Sequence, residues 1–438
     1  MLHHKPYYLS YLKLISLYSR NKFKLHNFLT QVNAQYGEKV SYSIPGKNVH
    51  FLFCKEAVNT ILVKREKDFC KTRYTLELDK LLGKGLLTSE GSVWHKNRKL
   101  IQPFFKKQIF QNITADLEHE LELHFDRFES SFPQSGRTIN LVEFIHSLIL
   151  SLTAKTLFGL NINEHTREIS SGLQLLVDST RQGNLSKLLF GFITNRKIQE
   201  FRNRVEKIIL KQDEAEQSKS TNFLSFLLRQ SRDHPGCFDH QQIVDEALTM
   251  LFAGHETTAN VLCWAFVELS HHLNWQESLI SNAKSLKQQG LSFEKVREYP
   301  NFEKVFLEST RLYPPAWVLA RETQKDQSLL GLNFKEKDLV VLPTWFIQRS
   351  KSYWEHPDTF NPERFEGKQG TFHDGSFFPF SMGARTCIGR QLATVQSQLI
   401  LANFFKRFRI KLAQDRPTPV FQVLLRPPST IMARVERI

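Results

Sequence analysis

Cysteine is scarce: the chain of 438 residues has five, Cys54, Cys70, Cys237, Cys263 and Cys387, with no CxxC pair among them. An odd, scattered set in a long chain argues against a disulfide framework and for a reducing compartment. Zinc-finger spacing and arginine-rich tracts are also missing, so the formal charge of +15 does not read as nucleic-acid binding; an acidic partner protein suits it better. The N-terminal segment Tyr7 to Tyr18 falls well short of the ~20 apolar residues that a bilayer span requires, so no transmembrane anchor is expected there. The aromatic and aliphatic segment Tyr7 to Tyr18 is interrupted by Lys13 and reads as a packed helix, with rest against a membrane surface as the alternative. No small-residue cleavage site follows a clean apolar core, which argues against secretion and for a cytoplasmic protein. Linkers, internal repeats and low-complexity segments are absent too, and one large domain over residues 1–438 is the simplest organisation.

Phenylalanine, by contrast, is abundant at 36 residues, enough to build a core and to line a pocket as well. Val40, Tyr42 and Ile44 alternate with polar residues, Pro45-Gly46-Lys47 makes a turn, and Val49, Phe51 and Phe53 alternate again: a β-hairpin. Helical spacing then dominates, over Val93 to Phe105, Ile113 to Phe128, Leu141 to Phe158, Ile198 to Lys211 and a long segment from Ile243 to His271 that is apolar nearly all round, hence buried. Gly331, Val340 to Pro343 and Thr430 to Val435 suggest short strands. The expected fold is mainly α with a minor β-sheet.

The densest constellation is Phe380-Ser381-Met382-Gly383-Ala384-Arg385-Thr386-Cys387-Ile388-Gly389-Arg390, followed by an amphipathic helix to about Phe408. The glycines let the backbone turn sharply and approach a flat ligand, Phe380 offers an apolar ring, and Cys387 stands where a helix begins, a place that favours a thiolate. Zinc would need partner cysteines or histidines close by. Haem needs one protein ligand, and a thiolate on its iron favours cleavage of the O–O bond. Arg385 could pair with a haem propionate.

This loop resembles the cysteine-ligand loop of cytochromes P450, with the pattern Phe-x-x-Gly-x-Arg-x-Cys-x-Gly fully met. The resemblance implies the fold of that family and haem b (iron protoporphyrin IX) held by Cys387 as axial ligand, with Phe380, Gly383, Arg385 and Gly389 around it.

Within the long helix, Ala253-Gly254-His255-Glu256-Thr257-Thr258 places a costly mid-helix glycine beside a carboxylate and hydroxyls. It resembles the family's oxygen-activation motif, which implies that Thr257 supports dioxygen activation and Glu256 relays protons. His255-Glu256 is also half of a zinc-protease HExxH, but position 259 is alanine.

Other family motifs follow in order. Glu308 and Arg311 share a helix face before Pro314-Pro315, a spacing that taken alone is also common in surface pairs, and Phe360-Asn361-Pro362-Glu363-Arg364-Phe365 comes later. By resemblance, Glu308, Arg311 and Arg364 form the triad that locks the cysteine loop. Trp94 and Arg98, one helical turn apart, resemble the family's propionate-binding helix; Arg321 matches another propionate position or is an ordinary strand residue. One departure is Gln348-Arg349, where many members carry His-Arg, a local packing difference.

The chain ends at Ile438, too soon after Cys387 for a fused flavin domain, and it has no dinucleotide-binding glycine turn after a strand. The resemblance therefore implies a separate electron donor: a ferredoxin, flavodoxin or flavin reductase. Lys96, Lys99, Lys106, Lys107 and Arg390 offer a basic docking face or simply a solvated surface. The implied activity is insertion of one atom of dioxygen into a lipophilic small molecule. A peroxide-driven or isomerising haem-thiolate enzyme, which would not need the Glu256-Thr257 pair, is the alternative, and a non-catalytic haem sensor or electron carrier is disfavoured because it would need an output domain that the chain is not expected to contain. Pocket walls are expected in the loop after Phe69, Leu185 to Ile193, Leu251 to Ala253, Trp317 to Leu319 and Val423-Leu424, all of which suit a fatty acid, terpenoid or steroid-like molecule.

Overall fold

The structure, a computed structural model, describes residues 6–22, 24–76, 78–105, 107–133, 135–159, 172, 196–210, 222–236, 238–289, 292–367, 374–413 and 415–438. They group into two compact units, Met1–Leu76 with Leu307–Cys387, and Glu77–Phe306 with Ile388–Ile438.

The first unit is built on a six-stranded sheet in the order Tyr7–Leu9, Lys39–Ile44, Lys47–Leu52, Leu339–Leu342, Leu319–Thr323, Phe69–Cys70. The expected hairpin pairs antiparallel, with Tyr42 opposite Val49. Its turn is made by Pro45 and Gly46, whose φ of +86° glycine adopts without strain. Leu52, Ile61, Leu62, Val340, Leu342 and Phe378 form the core against this sheet, and Met382 packs on it. Phe378 lies two residues before Phe380, so the start of the cysteine loop is rooted in apolar packing. Gly331 sits at the turn between the paired strands Gln327–Leu329 and Leu332–Phe334.

The second unit is mainly helical. Its centre is the helix His240–His271, 32 residues and so about 48 Å long at 1.5 Å per residue. Asp239 starts it, accepting a hydrogen bond from the Gln242 N–H (2.7 Å). Leu141–Phe158 and Arg390–Phe405 pack against it. Leu141–Phe158 is long and apolar enough to cross a membrane, but 61% of it is buried inside the protein, as befits a core helix. A sheet of Phe408–Leu412, Met432–Arg437 and Arg137–Asn140 completes the unit.

Candidate functional site

Cys387 is held at the end of a tight turn. Its N–H donates to the Phe380 carbonyl (2.8 Å), Ser381 N–H to that of Phe378 (2.9 Å), and the N–H and Oγ1 of Thr386 to that of Gly383 (3.1 and 2.7 Å). Two residues stand in the left-handed region, Ser381 at φ +61° and Gly383 at +72°. Gly383 has a second reason to be glycine, because a Cβ there would lie 1.9 Å from the Leu62 carbonyl oxygen. The segment Thr60–Lys64 thus presses on the turn from behind, and Ala384 N–H donates to the Glu66 carboxylate (2.9 Å). Cys387 is left exposed, whereas Cys54 and Cys263 are buried. Burial pushes the Cys54 thiol up to about 11 and raises that of Cys263 as well, so neither is poised as a thiolate. Cys237 lies outside the described residues. The following helix opens at Arg390 with Gly389 as its cap, so Cys387 stands just ahead of the helix rather than in its first turn.

In the same unit Glu308, Arg311 and Arg364 come together. Arg311 donates to both Glu308 oxygens (Nε to Oε2 2.6 Å, Nη2 to Oε1 2.7 Å), and both side chains are fully buried. Arg364 Nε lies 3.4 Å from Glu308 Oε1, which also accepts from the Asn361 N–H (2.8 Å). Arg311 further donates to the carbonyls of Gln348 (3.0 Å), Pro357 (2.7 Å) and Thr359 (3.3 Å). Gln348, the departure noted in the sequence, is fully buried and structural: its Nε2 donates to the carbonyls of Thr310 (3.1 Å) and Arg311 (3.0 Å), and its Oε1 accepts from Phe378 N–H (2.9 Å). It thereby connects the Glu308 helix to the root of the cysteine loop. Arg321 lies half-buried in the strand Leu319–Thr323 and donates to the Ala320 carbonyl (2.8 Å).

In the second unit, the long helix is buried along almost its whole length, yet Phe252, Ala253, Gly254 and Thr257 are only half-buried. Ala253 and Thr257 lie one turn apart on one face, and the Thr257 hydroxyl donates to the Ala253 carbonyl (2.7 Å). Glu256, buried, forms an ion pair with Arg426, a partner that no motif in the chain points to. Beside it His255 Nε2–H donates to the His146 carbonyl (3.1 Å), and the two imidazoles meet edge to face at 5.3 Å. Desolvation by burial holds His146 at about 3 and His255 at about 4, with the charge of Arg426 adding to both depressions, so these rings are neutral neighbours of the carboxylate.

Trp94, buried, and Arg98, half-buried, share one face of the helix Gly91–Ile101. That helix is fixed to the long one through Asn97, whose Nδ2 donates to buried Glu246 (2.8 Å). Lys96 and Lys99 are exposed and Arg390 half-buried; Lys106 and the side chain of Lys107 lie outside the described residues. Of the expected pocket walls, Leu185 to Ile193 also lies outside them. Trp317 is buried near His26, and Val423 is 55% exposed.

Comparison with known proteins agrees with this pattern. The family profile described as "Cytochrome P450" matches residues 5–435. The chain is 28% identical to a cytokinin hydroxylase of Arabidopsis thaliana, over 79% of this chain and 71% of that protein. It is also 28% identical to a cyclooctatin synthase of Streptomyces melanosporofaciens, over 81% of this chain and 77% of the other. The crystal structure of CYP175A1 from Thermus thermophillus superposes with a TM-score of 0.77 at 25% identity, covering 98% of this chain and all of that one.

Proposed function

The chain belongs to the cytochrome P450 family and is an oxidoreductase that incorporates oxygen from dioxygen, and from that premise we propose a haem-thiolate monooxygenase that hydroxylates a lipophilic small molecule with electrons from a separate donor. The observation that carries this reading is the exposed Cys387 at the end of a turn fixed from behind by Leu62 and Glu66. The residues fit haem, which needs a single protein ligand: Cys387 is exposed at the end of its turn, and among the described residues no group of three or more His, Cys, Asp or Glu offers an all-protein metal site instead. Bound haem supplies an iron at which dioxygen is reduced and its O–O bond cleaved.

The protein's own part is to hold, exclude and deliver. Cys387 is the axial ligand in this reading, Phe380 gives an apolar wall, and the backbone at Gly383 and Gly389 permits close approach. Arg385, Arg321, Arg98 and Trp94 are donors for the propionates. The Thr257 hydroxyl, having given its hydrogen to Ala253, keeps lone pairs with which to accept a hydrogen bond on the accessible face of the helix. Glu256, charged opposite Arg426, takes up protons at its carboxylate and passes them on. The half-buried stripe at Phe252, Ala253 and Gly254 is apolar and supports a lipophilic substrate. Exposed Lys96 and Lys99 support an acidic ferredoxin, flavodoxin or flavin reductase as donor, with salt-sensitive docking. The family match spans both compact units, and in this reading they serve as one cytoplasmic catalytic domain.

The test is the absorption spectrum of the haem-loaded protein, reduced under carbon monoxide, beside Cys387→Ser. A strongly red-shifted Soret band that is lost in the variant is expected. An unchanged band in the variant rules out Cys387 as the ligand.

A further inference from the structure

The first 37 residues contain Lys5, Lys13, Arg20, Lys22 and Lys24 and no acidic residue; the first is Glu38. In the helix Tyr11–Arg20 this stretch is apolar on two faces. One face is built into the protein: Leu17 is buried, Leu14 and Tyr18 are half-buried, and the Tyr18 ring meets Phe28 edge to face at 5.5 Å. The other points outward. Leu12 is 81% exposed, Tyr11 51% and Ile15 47%, and Tyr8, on the strand just before, is 61% exposed. Positions 11, 12 and 15 have the spacing of a single helical stripe, with Tyr8 just ahead of it, so these side chains form one patch rather than scattered exceptions.

We propose that this outward face, with the cations that follow it, rests on an anionic lipid surface. The apolar side chains would enter the headgroup and acyl boundary, with tyrosines at the depth where amphipathic rings are favoured. Arg20, Lys22 and Lys24 are exposed at the helix end, where they meet lipid phosphates. Lys13, although exposed, is turned aside: its Nζ donates to the Tyr7 hydroxyl (3.0 Å) and lies 4.8 Å from the centre of the Tyr36 ring, so its charge is held by these two tyrosines. Charge decides between occupants. A two-fold contact between two copies would set this acid-free basic segment against itself, a repulsion no residue in it offsets. An acidic electron-transfer protein satisfies the cations but leaves large apolar side chains against a polar surface. An anionic bilayer satisfies both.

The haem-loaded full chain is sedimented with phosphatidylcholine vesicles containing phosphatidylglycerol and with neutral phosphatidylcholine vesicles. Binding to the anionic vesicles, weakened by salt, is expected. Leu12→Ser with Ile15→Ser should weaken it about tenfold, since two apolar anchors are lost, with circular dichroism and melting temperature unchanged because both side chains project outward. Lys22→Glu with Lys24→Glu should weaken binding to the anionic vesicles and leave any binding to neutral ones alone. The proposal is overturned by absence of binding, by equal binding to both vesicle types, or by wild-type binding in the serine pair. A lipid-free dimer that the serine pair dissociates, or capture of an acidic ferredoxin that depends on Leu12 and Ile15, overturns it in favour of those occupants.

Discussion

Arg426 closes an ion pair on Glu256, with side chains only 13% and 8% exposed. Removing one member of such a pair strands the other charge where little water reaches it. Arg426→Met is expected to cost about 3–5 kcal/mol, and adding Glu256→Gln to recover much of that, because the stranded charge is then gone. A double-mutant cycle on urea unfolding measures the coupling. Strictly additive costs would mean that the pair does not act as a pair.

For catalysis the same carboxylate is expected to matter only where protons must be delivered. Glu256→Gln should lower turnover with dioxygen and an electron donor by a factor on the order of 100. Turnover supported by hydrogen peroxide, which brings its own protons and electrons, should change far less. Equal losses in both assays would remove Glu256 from proton delivery and leave it a structural partner of Arg426.

Gln348 fills three hydrogen-bonding positions at once, and no apolar side chain can. Gln348→Leu leaves the Phe378 N–H and the carbonyls of Thr310 and Arg311 without this amide, at an expected cost of about 1–3 kcal/mol. Because Phe378 roots the cysteine loop, the variant should also release haem faster to a competing apoprotein. A stability loss with unchanged haem retention would confine Gln348 to local packing.

Gly383→Ala is expected to be among the most damaging single-methyl changes in the chain. The new Cβ meets the Leu62 carbonyl, a backbone atom that cannot rotate away, at a positive φ. Loss of the red-shifted Soret band together with a lower melting temperature is the expected pair of readouts. Gly254→Ala serves as the control for the fold, since a Cβ there meets nothing nearer than Thr153 Cγ2 at 3.6 Å; its melting temperature should not fall.

Acid should destabilise the protein through three imidazoles shielded from water, those of buried His255 and of half-buried His124 and His146. Burial lowers His124 to about 4, His146 to about 3 and His255 to about 4, helped by Arg127 at the first and by Arg426 at the other two. Between pH 6.5 and these values the unfolded chain takes up protons that the folded one refuses. Stability is therefore fully present above about pH 6.5 and falls as pH drops toward about 4, by on the order of 1.4 kcal/mol per pH unit for each histidine. Urea unfolding at a series of pH values should show a shallower slope for His124→Gln than for the parent; an identical slope would assign the acid sensitivity to other groups.

Elements with a strong local period were legible in the amino-acid order alone. The hairpin around Gly46 and the core helix Leu141–Phe158 lie where alternation and 3.6-residue spacing put them. Errors fell at ends, where the period is silent. The long helix begins at His240, three residues before its first apolar position, because Asp239 caps a polar first turn. The helix expected over Val93 to Phe105 tightens into a 3-10 turn at Gln102–Phe105, around Pro103. After the cysteine loop, the helix expected to reach about Phe408 stops at Phe405, and Phe408 opens a strand. The cysteine turn and the Glu308–Arg311 pair could be read from spacing, but spacing alone left that pair looking like one on the surface, and it is fully buried. Arg426 and the use of Gln348 were invisible for another reason: their partners lie far away in the chain, and no short motif records a contact of that length.

Arg311 directs three of its contacts to main-chain carbonyls, those of Gln348, Pro357 and Thr359. A carbonyl is offered by every amino acid, so the arginine recognises the course of the chain and is indifferent to the side chains along it. The contact with Arg311 itself therefore sets no requirement on the side chains at 357 and 359 as long as the path is preserved, whereas it does require the guanidinium at 311. A junction of this kind, rigid in one side chain and permissive in those along the path it holds, is compatible with a fold shared at 25% sequence identity.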